Sequence, residues 1–141
     1  MSLSIPSSIL EQIHDHGAAS YPEEGAGFLL GKDGEPRRVQ SIVELPNRRE
    51  QDARSNRYLI SPQDYLQAEL EADRLGLTLI GVFHSHPDHP NATSTYDRDW
   101  AQPWFSYTIT SVEHGNSIAS RTWRLQEDRS GFVEEPMIIE N

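Results

Sequence analysis

Two histidines and an aspartate in the middle of the chain have residue types that bind metal ions. His84 and His86 stand in the run His84-Ser85-His86-Pro87, and Asp97 follows in the same stretch. Side chains alternate between the two faces of a strand, so both imidazoles leave one face if the strand lasts through Pro87. Two imidazoles and a carboxylate from a nearby element make a three-ligand site with a fourth position open, as a catalytic zinc requires.

Asp97 also has a simpler interpretation. Ser94 stands three residues before it, which is the spacing of a helix cap with an acid at the third helical position. That interpretation needs no metal. Both can hold together, because a cap at Ser94 would fix the helical turn from which Asp97 reaches back to the strand.

Hydrolysis at such a centre needs two further groups. A second carboxylate, not bound to metal, must accept a proton from water and pass it to a leaving amine. A hydroxyl near the metal can donate to the oxyanion that forms, and Ser94 fits that task. By pattern, the candidates for the carboxylate are Glu24 or Glu23, ahead of an apolar run, with Asp88 and Asp99 behind them.

The elements that must position these residues follow from the hydrophobic pattern. The apolar run from Leu77 to Phe83 predicts a buried strand that delivers the histidines. The segment from Ser61 to Gly76 predicts a helix before it, with a Ser cap, Pro at the first position, an acid at the third and a glycine stop. This order of elements indicates a sheet covered by helices.

The remaining elements are predicted from the same rules. Ile5, Ile9, Leu10 and Ile13 lie at helical spacing and predict a first helix with Ser4 as its cap, ending near Gly17. His14 and His16 near its end are predicted as surface residues, since a two-residue spacing on a helix does not point to one side.

Further strands are expected at Gly27–Leu30, Arg38–Leu45, Tyr58–Ile60, Phe105–Val112, Ser117–Leu125 and one edge strand in the tail, with a short helix from Asp97 to Trp100 or Ala101. In Arg38–Leu45, alternation places Val39, Ser41, Val43 and Leu45 on one face.

Composition bounds the class of protein. One hundred and forty-one residues predict one domain, 1–141, and the lack of cysteine leaves only His and carboxylate for a metal. The formal net charge of −10 argues against a nucleic-acid surface and against attraction to anionic membranes. With no signal-peptide pattern and no apolar run of membrane length, we expect a cytoplasmic protein. The loop from Arg48 to Arg57 carries four arginines and is expected to be solvated, or to steer an acidic partner.

The motifs resemble a known family. His84-Ser85-His86-Pro87 with Ser94-x-x-Asp97 resembles the signature of the JAMM (MPN+) metallopeptidases, and Glu24-Gly25-Ala26-Gly27 resembles that family's Glu-x-x-Gly segment. The resemblance implies an α/β (α+β) fold of the JAB/MPN (cytidine-deaminase-like) type, a single-domain mixed sheet flanked by helices. It also implies zinc on His84, His86 and Asp97, with Glu24 as general base and Ser94 steadying the oxyanion.

The resemblance carries an expected activity as well. Enzymes of this family hydrolyse amide or isopeptide bonds next to the C-terminal tail of ubiquitin-like proteins, and small prokaryotic members act with sulfur-carrier proteins of that fold. The chain's small size and its Arg57–Pro62 segment resemble that branch. Ala26 stands where many members have Cys, and the chain lacks room for insertions that select ubiquitin-chain linkage. The expected partner is therefore the tail of a carrier protein, which could bind as an added strand.

Other functions use similar residues. A zinc amidase acting on a small molecule or a cell-wall peptide would need the same centre. A non-catalytic MPN scaffold usually lacks the ligands, which are complete here. A non-haem iron oxygenase also uses two His and one carboxylate, but in a different sequence order, and a zinc deaminase would need cysteine ligands.

Overall fold

In the computed structural model, an eight-stranded mixed sheet lies between two α-helices. The structure describes residues 1–46, 60–94, 97–98 and 101–141. The elements are β1 (Leu3–Pro6), α1 (Ser7–Ser20), β2 (Ala26–Lys32), β3 (Arg37–Leu45), α2 (Pro62–Leu75), β4 (Thr78–Pro87), β5 (Ser106–Glu113), β6 (Asn116–Leu125), β7 (Phe132–Glu135) and β8 (Met137–Glu140).

The strand order is β7-β6-β5-β4-β2-β3-β1-β8, so β2 and β4 lie at the centre. β4 runs antiparallel to β2 and parallel to β5, while β1 runs parallel to both of its neighbours. The remaining pairs are antiparallel. The predicted fold class, a mixed sheet flanked by helices, is confirmed.

Each helix covers one face of the sheet. On the α1 face, Ile9 and Ile13 pack with Leu29, Ile80 and Phe83. On the α2 face, the core includes Ala68 and Ala72 of the helix and Phe28, Leu30 and Val82 of the central strands. Burying each large apolar side chain contributes about 1.5–3 kcal/mol, so these two layers hold the central strands between the helices.

The boundaries of α2 are those that the sequence predicts. The Ser61 hydroxyl accepts the Asp64 N–H (3.1 Å), and the Asp64 carboxylate accepts the Ser61 N–H (3.0 Å). Gly76 ends the helix in the left-handed conformation, at a φ of 70°, which glycine adopts without a side-chain clash.

The prediction for the first helix is wrong at both ends. Residues 3–6 form β1, where Ile5 is buried between the neighbouring strands, and α1 runs from Ser7 to Ser20. Ser4 is not the cap, because its hydroxyl donates to Glu140 of β8 (2.5 Å). Ile5 has the spacing of a helix face by coincidence, since it points into the same α1-side cluster as Ile9 and Ile13.

The prediction that Val39, Ser41, Val43 and Leu45 share one face is also wrong. Gly31 pairs with Val39 whereas Leu30 pairs with Ser41, so β3 contains one extra residue at this point. Such a bulge shifts the alternation of side chains by one residue. Val39 therefore packs on the α1 side, and Val43 and Leu45 pack on the α2 side.

The tail forms two strands where the sequence predicts one edge strand. β7 pairs with β6 at one edge of the sheet, and β8 pairs with β1 at the other.

Some predictions concern residues outside the described ranges: the Arg48–Arg57 loop, most of the Tyr58–Ile60 strand, Asp99 and Trp100. None of the helices within the described ranges has the length and apolar character needed to cross a membrane.

Candidate metal centre

The side chains of His84, His86 and Asp97 converge on one point. The two Nε2 atoms are 3.2 Å apart, Oδ1 of Asp97 lies 3.1 Å from His84 Nε2, and Oδ2 lies 3.4 Å from His86 Nε2. All three residues are buried, and each offers one ligand atom within 4.8 Å of the other two. The three residues predicted as ligands therefore form a group that can hold a metal ion.

The regular geometry of β4 positions both imidazoles. Side chains alternate between the two faces of a strand, and β4 continues through Pro87. Val82, His84 and His86 therefore lie on one face, while Phe83 packs on the α1 side. β4 is hydrogen-bonded to β5 along its second half, up to the pair of Pro87 with Val112. β5 thus holds the end of β4 in place, whereas the ladder with β2 reaches only to His84.

Asp97 is positioned by a capping box. The Ser94 hydroxyl accepts the Asp97 N–H (3.1 Å), and the Asp97 carboxylate accepts the Ser94 N–H (2.8 Å). The Arg98 N–H donates to the Ser94 carbonyl (3.1 Å), which is the first bond of a helical turn. The cap interpretation and the ligand interpretation hold together, because the cap aims the carboxylate at the histidines.

A further hydrogen bond fixes the orientation of His86. Its Nδ1 lies 2.8 Å from the carbonyl oxygen of Pro90. A carbonyl can only accept, so Nδ1 carries the hydrogen and Nε2 is left as the metal-binding atom in the neutral ring.

The charges at the centre reinforce one another. Burial raises the pKa of Asp97, but the charge of His84 and its hydrogen bond, followed by those of His86, outweigh this and hold that pKa well below its usual range. Burial lowers the pKa of His86, but the hydrogen bond and charge of Asp97 outweigh it, so the net pKa is raised. Asp97 is therefore an anion, as a cation site requires.

Glu24 lies at the same centre. Ala26 of β2 pairs with His84 of β4 as the last pair of this antiparallel ladder, and Glu24 precedes Ala26 by two residues. Glu24 is buried, and its charge contributes to raising the pKa of His86. Glu24 also lines the cavity next to the ligands, whereas Glu23 is not among the described residues that line it.

The cavity beside the ligands has a volume of about 440 Å³. His86, Asp97 and Glu24 line it. The loop between β4 and the helical turn lines it as well, through His89, Pro90, Ala92, Thr93 and Ser94. Trp123 of β6 fixes this loop by donating its Nε1–H to the Asn91 carbonyl (3.1 Å). Apart from Ser94, no local sequence pattern predicts this lining, because the loop is held by a contact with a distant strand.

Two other acidic candidates were proposed for the general base. Asp88 lies outside the centre in this structure: its carboxylate accepts the Tyr21 hydroxyl (2.6 Å) and the His114 N–H (2.9 Å). Asp99 lies outside the described residues.

The histidines of α1 are not surface residues as predicted. Nε2 of His14 lies 2.8 Å from the Ser120 hydroxyl, and His16 donates Nε2–H to the Ala26 carbonyl (3.1 Å). Both side chains are partly buried. His114 lies in the β5–β6 turn, as expected, at a φ of 51°.

Chemically, this arrangement combines a cation site with a nearby carboxylate and a hydroxyl, all facing one open cavity. Those are the parts that metal-assisted hydrolysis of an amide needs.

Comparisons with known proteins agree with the geometry. The sequence model of one family, described as prokaryotic homologs of the JAB domain, matches residues 6–126. A probable TtuB-protein conjugate cleaving protease of Thermus thermophilus is 33% identical over 111 residues, which cover 79% of this chain and 71% of the relative. A desampylase of Pyrococcus furiosus is 28% identical over 117 residues, covering 83% of this chain and 76% of the relative.

A solved structure has the same fold. The crystal structure of a JAB1/MPN domain protein from Archaeoglobus fulgidus superposes with a TM-score of 0.58 at 18% identity, over 98% of this chain and 99% of that one. At this level of identity the similarity concerns the fold alone.

Proposed function

Because this chain belongs to the family of prokaryotic homologs of the JAB domain, we propose that it is a zinc-dependent metallopeptidase. Its substrate is an amide bond at the C-terminal tail of a ubiquitin-like or sulfur-carrier protein, and residues 1–141 act as one catalytic domain. The observation that carries the proposal is the convergence of His84, His86 and Asp97 at a cavity that Glu24 also lines.

Zinc fits the donor set. Imidazole nitrogen and carboxylate oxygen are among its preferred ligands, and two His with one carboxylate is a known catalytic combination. Bonds of about 2.0–2.1 Å in a tetrahedron require ligand atoms roughly 3.3 Å apart. The two Nε2 atoms, 3.2 Å apart, match that value. Asp97 brings a different carboxylate oxygen near each of them, Oδ1 at 3.1 Å from His84 Nε2 and Oδ2 at 3.4 Å from His86 Nε2. A bound zinc ion supplies a Lewis acid that lowers the pKa of water from about 15.7 toward 7.

Side chains of the protein carry out the proton transfers and stabilise the oxyanion. Glu24 accepts a proton from the attacking water and delivers it to the leaving nitrogen, so that water and amide become a carboxylic acid and an amine, which then exchange a proton to give carboxylate and ammonium. Ser94 donates its hydroxyl hydrogen to the carbonyl oxygen as negative charge develops there. Its oxygen can accept the Asp97 N–H at the same time, since a hydroxyl both donates and accepts. His84, His86 and Asp97 hold the ion.

The substrate class is supported by the relatives' activities. One relative is named for cleaving TtuB-protein conjugates and another is a desampylase. The residues that line the cavity include the small side chains Ala92, Thr93 and Ser94, which leave room for a narrow peptide tail. We infer that the tail would enter along the loop that contains them, with its last carbonyl beside Glu24 and Ser94, where a zinc ion held by His84, His86 and Asp97 would polarise it.

The test is hydrolysis of a panel of conjugates, followed by mass spectrometry. The panel contains a sulfur-carrier protein joined through its C-terminal Gly-Gly to a lysine peptide, the same carrier joined to cysteine, and a cell-wall peptide amide. We expect cleavage after the carrier's last glycine. Glu24→Gln should keep about one zinc per chain and lose roughly a hundredfold or more in rate, as expected of a general base.

Glu23→Gln is the matched control, because it makes the same chemical change one residue away and should retain the native rate. Cleavage of only the cell-wall peptide would replace the proposed substrate with a small amide. A zinc-loaded chain that cleaves none of the panel would favour a non-catalytic scaffold.

A further inference from the structure

We propose that Ser85, the residue between the two histidines, is a positioning residue for Glu24; this inference rests on the proposed function. Ser85 is only 2% exposed. Its side chain leaves β4 on the α1 face, opposite to the imidazoles, and its Cβ lies against Gly17 of α1. From that face it cannot reach the cavity, so any effect on catalysis must act through another residue.

Ser85 makes two hydrogen bonds to Gly25, the residue that follows Glu24. The Gly25 N–H donates to the Ser85 hydroxyl oxygen (2.8 Å), and the Ser85 N–H donates to the Gly25 carbonyl (2.9 Å). In a regular antiparallel pair both bonds would join main-chain atoms. Here the serine side chain takes the place of one main-chain acceptor, and both bonds are shielded from water.

The serine hydroxyl replaces a main-chain acceptor at the point where β2 begins. The ladder between β2 and β4 starts with Ala26 opposite His84, so Glu24 precedes the regular strand. The peptide that joins Glu24 to Gly25 contains the N–H that Ser85 accepts. Ser85 therefore ties the base directly to the strand that carries both histidines, and it sets their separation.

The consequence for catalysis follows from distance. A general base must lie within hydrogen-bond reach of the water it activates, and a misplacement of about 1 Å can cost roughly a hundredfold in rate. Removing the hydroxyl, as alanine does, would leave the buried Gly25 N–H without this acceptor. The amide would turn toward another acceptor or toward water, and Glu24 would move with it.

The experiment compares three variants of the full-length, zinc-loaded protein. Ser85→Ala removes the acceptor, and Ser85→Thr keeps it. Thr110→Val is the matched control, because Thr110 is the buried partner of Ser85 on β5 and its hydroxyl bonds to Ser120. We expect Ser85→Ala to bind about one zinc per chain, to lose at least about tenfold in kcat and to change KM little. Ser85→Thr and Thr110→Val should keep native kcat.

A double-mutant cycle tests whether the effect passes through Glu24. In a Glu24→Gln background, Ser85→Ala should cause no further loss of kcat, because the base it positions is already absent. A loss of the same size in both backgrounds would overturn the proposal, as would equal activity of Ser85→Ala and Thr110→Val.

A measurement independent of activity separates this inference from the proposed function. Hydrogen exchange of the Gly25 amide, followed by NMR, should be at least about tenfold faster in Ser85→Ala and unchanged in Thr110→Val. If the native chain cleaves no conjugate, the proposed function fails while the exchange result still decides whether Ser85 holds the segment. If Ser85→Ala does not fold, Ser85→Thr decides: a tenfold loss of kcat with zinc bound and Gly25 still protected would contradict the proposal.

Discussion

At the scale of single residues, Asp97 combines two tasks that can be separated chemically. Its carboxylate faces both histidines and also accepts the Ser94 N–H, while its own N–H donates to the Ser94 hydroxyl. The amide of an asparagine could still accept at the helix cap, but it has no charge to offer a cation.

We therefore predict that Asp97→Asn folds and loses metal affinity. The loss should be at least the 10- to 100-fold that removing an outer-shell partner typically costs. Asp15→Asn, the same change at an exposed position on α1, should bind zinc like the native chain. The measurement is competition with a chromophoric chelator. Native affinity in Asp97→Asn would leave Asp97 with the cap role alone.

The hydroxyl of Ser94 can be tested against an equivalent cap elsewhere. Ser94 and Ser61 both accept the N–H of an acid three residues on, and both acids reciprocate. Ser94→Ala and Ser61→Ala should each cost about 1 kcal/mol or less of cap stability. Ser94→Ala should also lose roughly 10²- to 10³-fold in kcat, the usual cost of one oxyanion donor.

Steady-state kinetics and urea unfolding of the two variants separate these effects. Equal kcat values for Ser94→Ala and Ser61→Ala would show that Ser94 acts only as a cap.

The site was partly predictable at this scale. Two histidines at strand spacing and an acid at cap spacing indicated the ligand group, since both depend on local geometry. The residues alone left Glu23 and Glu24 open, and in the part of the chain that the structure describes Glu24 is buried and lines the cavity whereas Glu23 does not line it. The wall that includes His89 and Ala92 depends on the contact between Trp123 and Asn91, which no local pattern indicates.

At the scale of elements, agreement between several local signals decided which predictions succeeded. The cap, proline, acid and glycine of α2 all agree, and its bounds were predicted. β1 has only four residues, and Ile5 shares the spacing of the helix that follows, so one pattern covered two elements. The bulge in β3 depends on the pairing with β2, which is a long-range property.

One close approach between elements can be tested by mutation. A Cβ on Gly27 would collide with the Phe83 ring and with the Val43 carbonyl, because β2 is pressed between its neighbours at this point. We predict that Gly27→Ala lowers the free energy of unfolding by about 1–3 kcal/mol, the usual cost of overpacking.

Gly131→Ala is the control, because a Cβ there would meet nothing closer than Gln126 at 4.0 Å and should change stability little. Thermal or urea unfolding of both variants is the measurement. A native midpoint for Gly27→Ala would mean that β2 and β4 are less tightly packed than described here.

At the scale of the whole molecule, a buried polar network lies at the end of the sheet away from the metal centre. Arg37 is fully buried, with its guanidinium under the Trp104 ring, 4.2 Å from the ring centroid. It donates to the carbonyls of Ile80 and Trp104 and to the Ser106 hydroxyl. Ser106 in turn donates to the buried Glu135 (2.9 Å), so the network joins β3, β4, β5 and β7.

We predict that Arg37→Met destabilises the chain by about 3 kcal/mol or more, since it leaves buried acceptors without their donor. Arg121→Met is the control: Arg121 pairs with Glu134 in water-exposed surroundings, so its loss should cost less than about 1 kcal/mol. Urea unfolding gives both values. Zinc bound per folded chain should be unchanged in both variants, because the network and the centre lie at opposite ends of β4.

The most direct test of the account is a crystal structure of the native protein, grown with zinc and with data collected on both sides of the zinc absorption edge. We predict one anomalous peak within about 2.0–2.2 Å of His84 Nε2, His86 Nε2 and a carboxylate oxygen of Asp97, the bond lengths of zinc to these ligands. The Glu24 carboxylate should face the fourth position without binding the ion. A peak elsewhere, or one with Glu24 as a ligand in place of Asp97, would contradict the account.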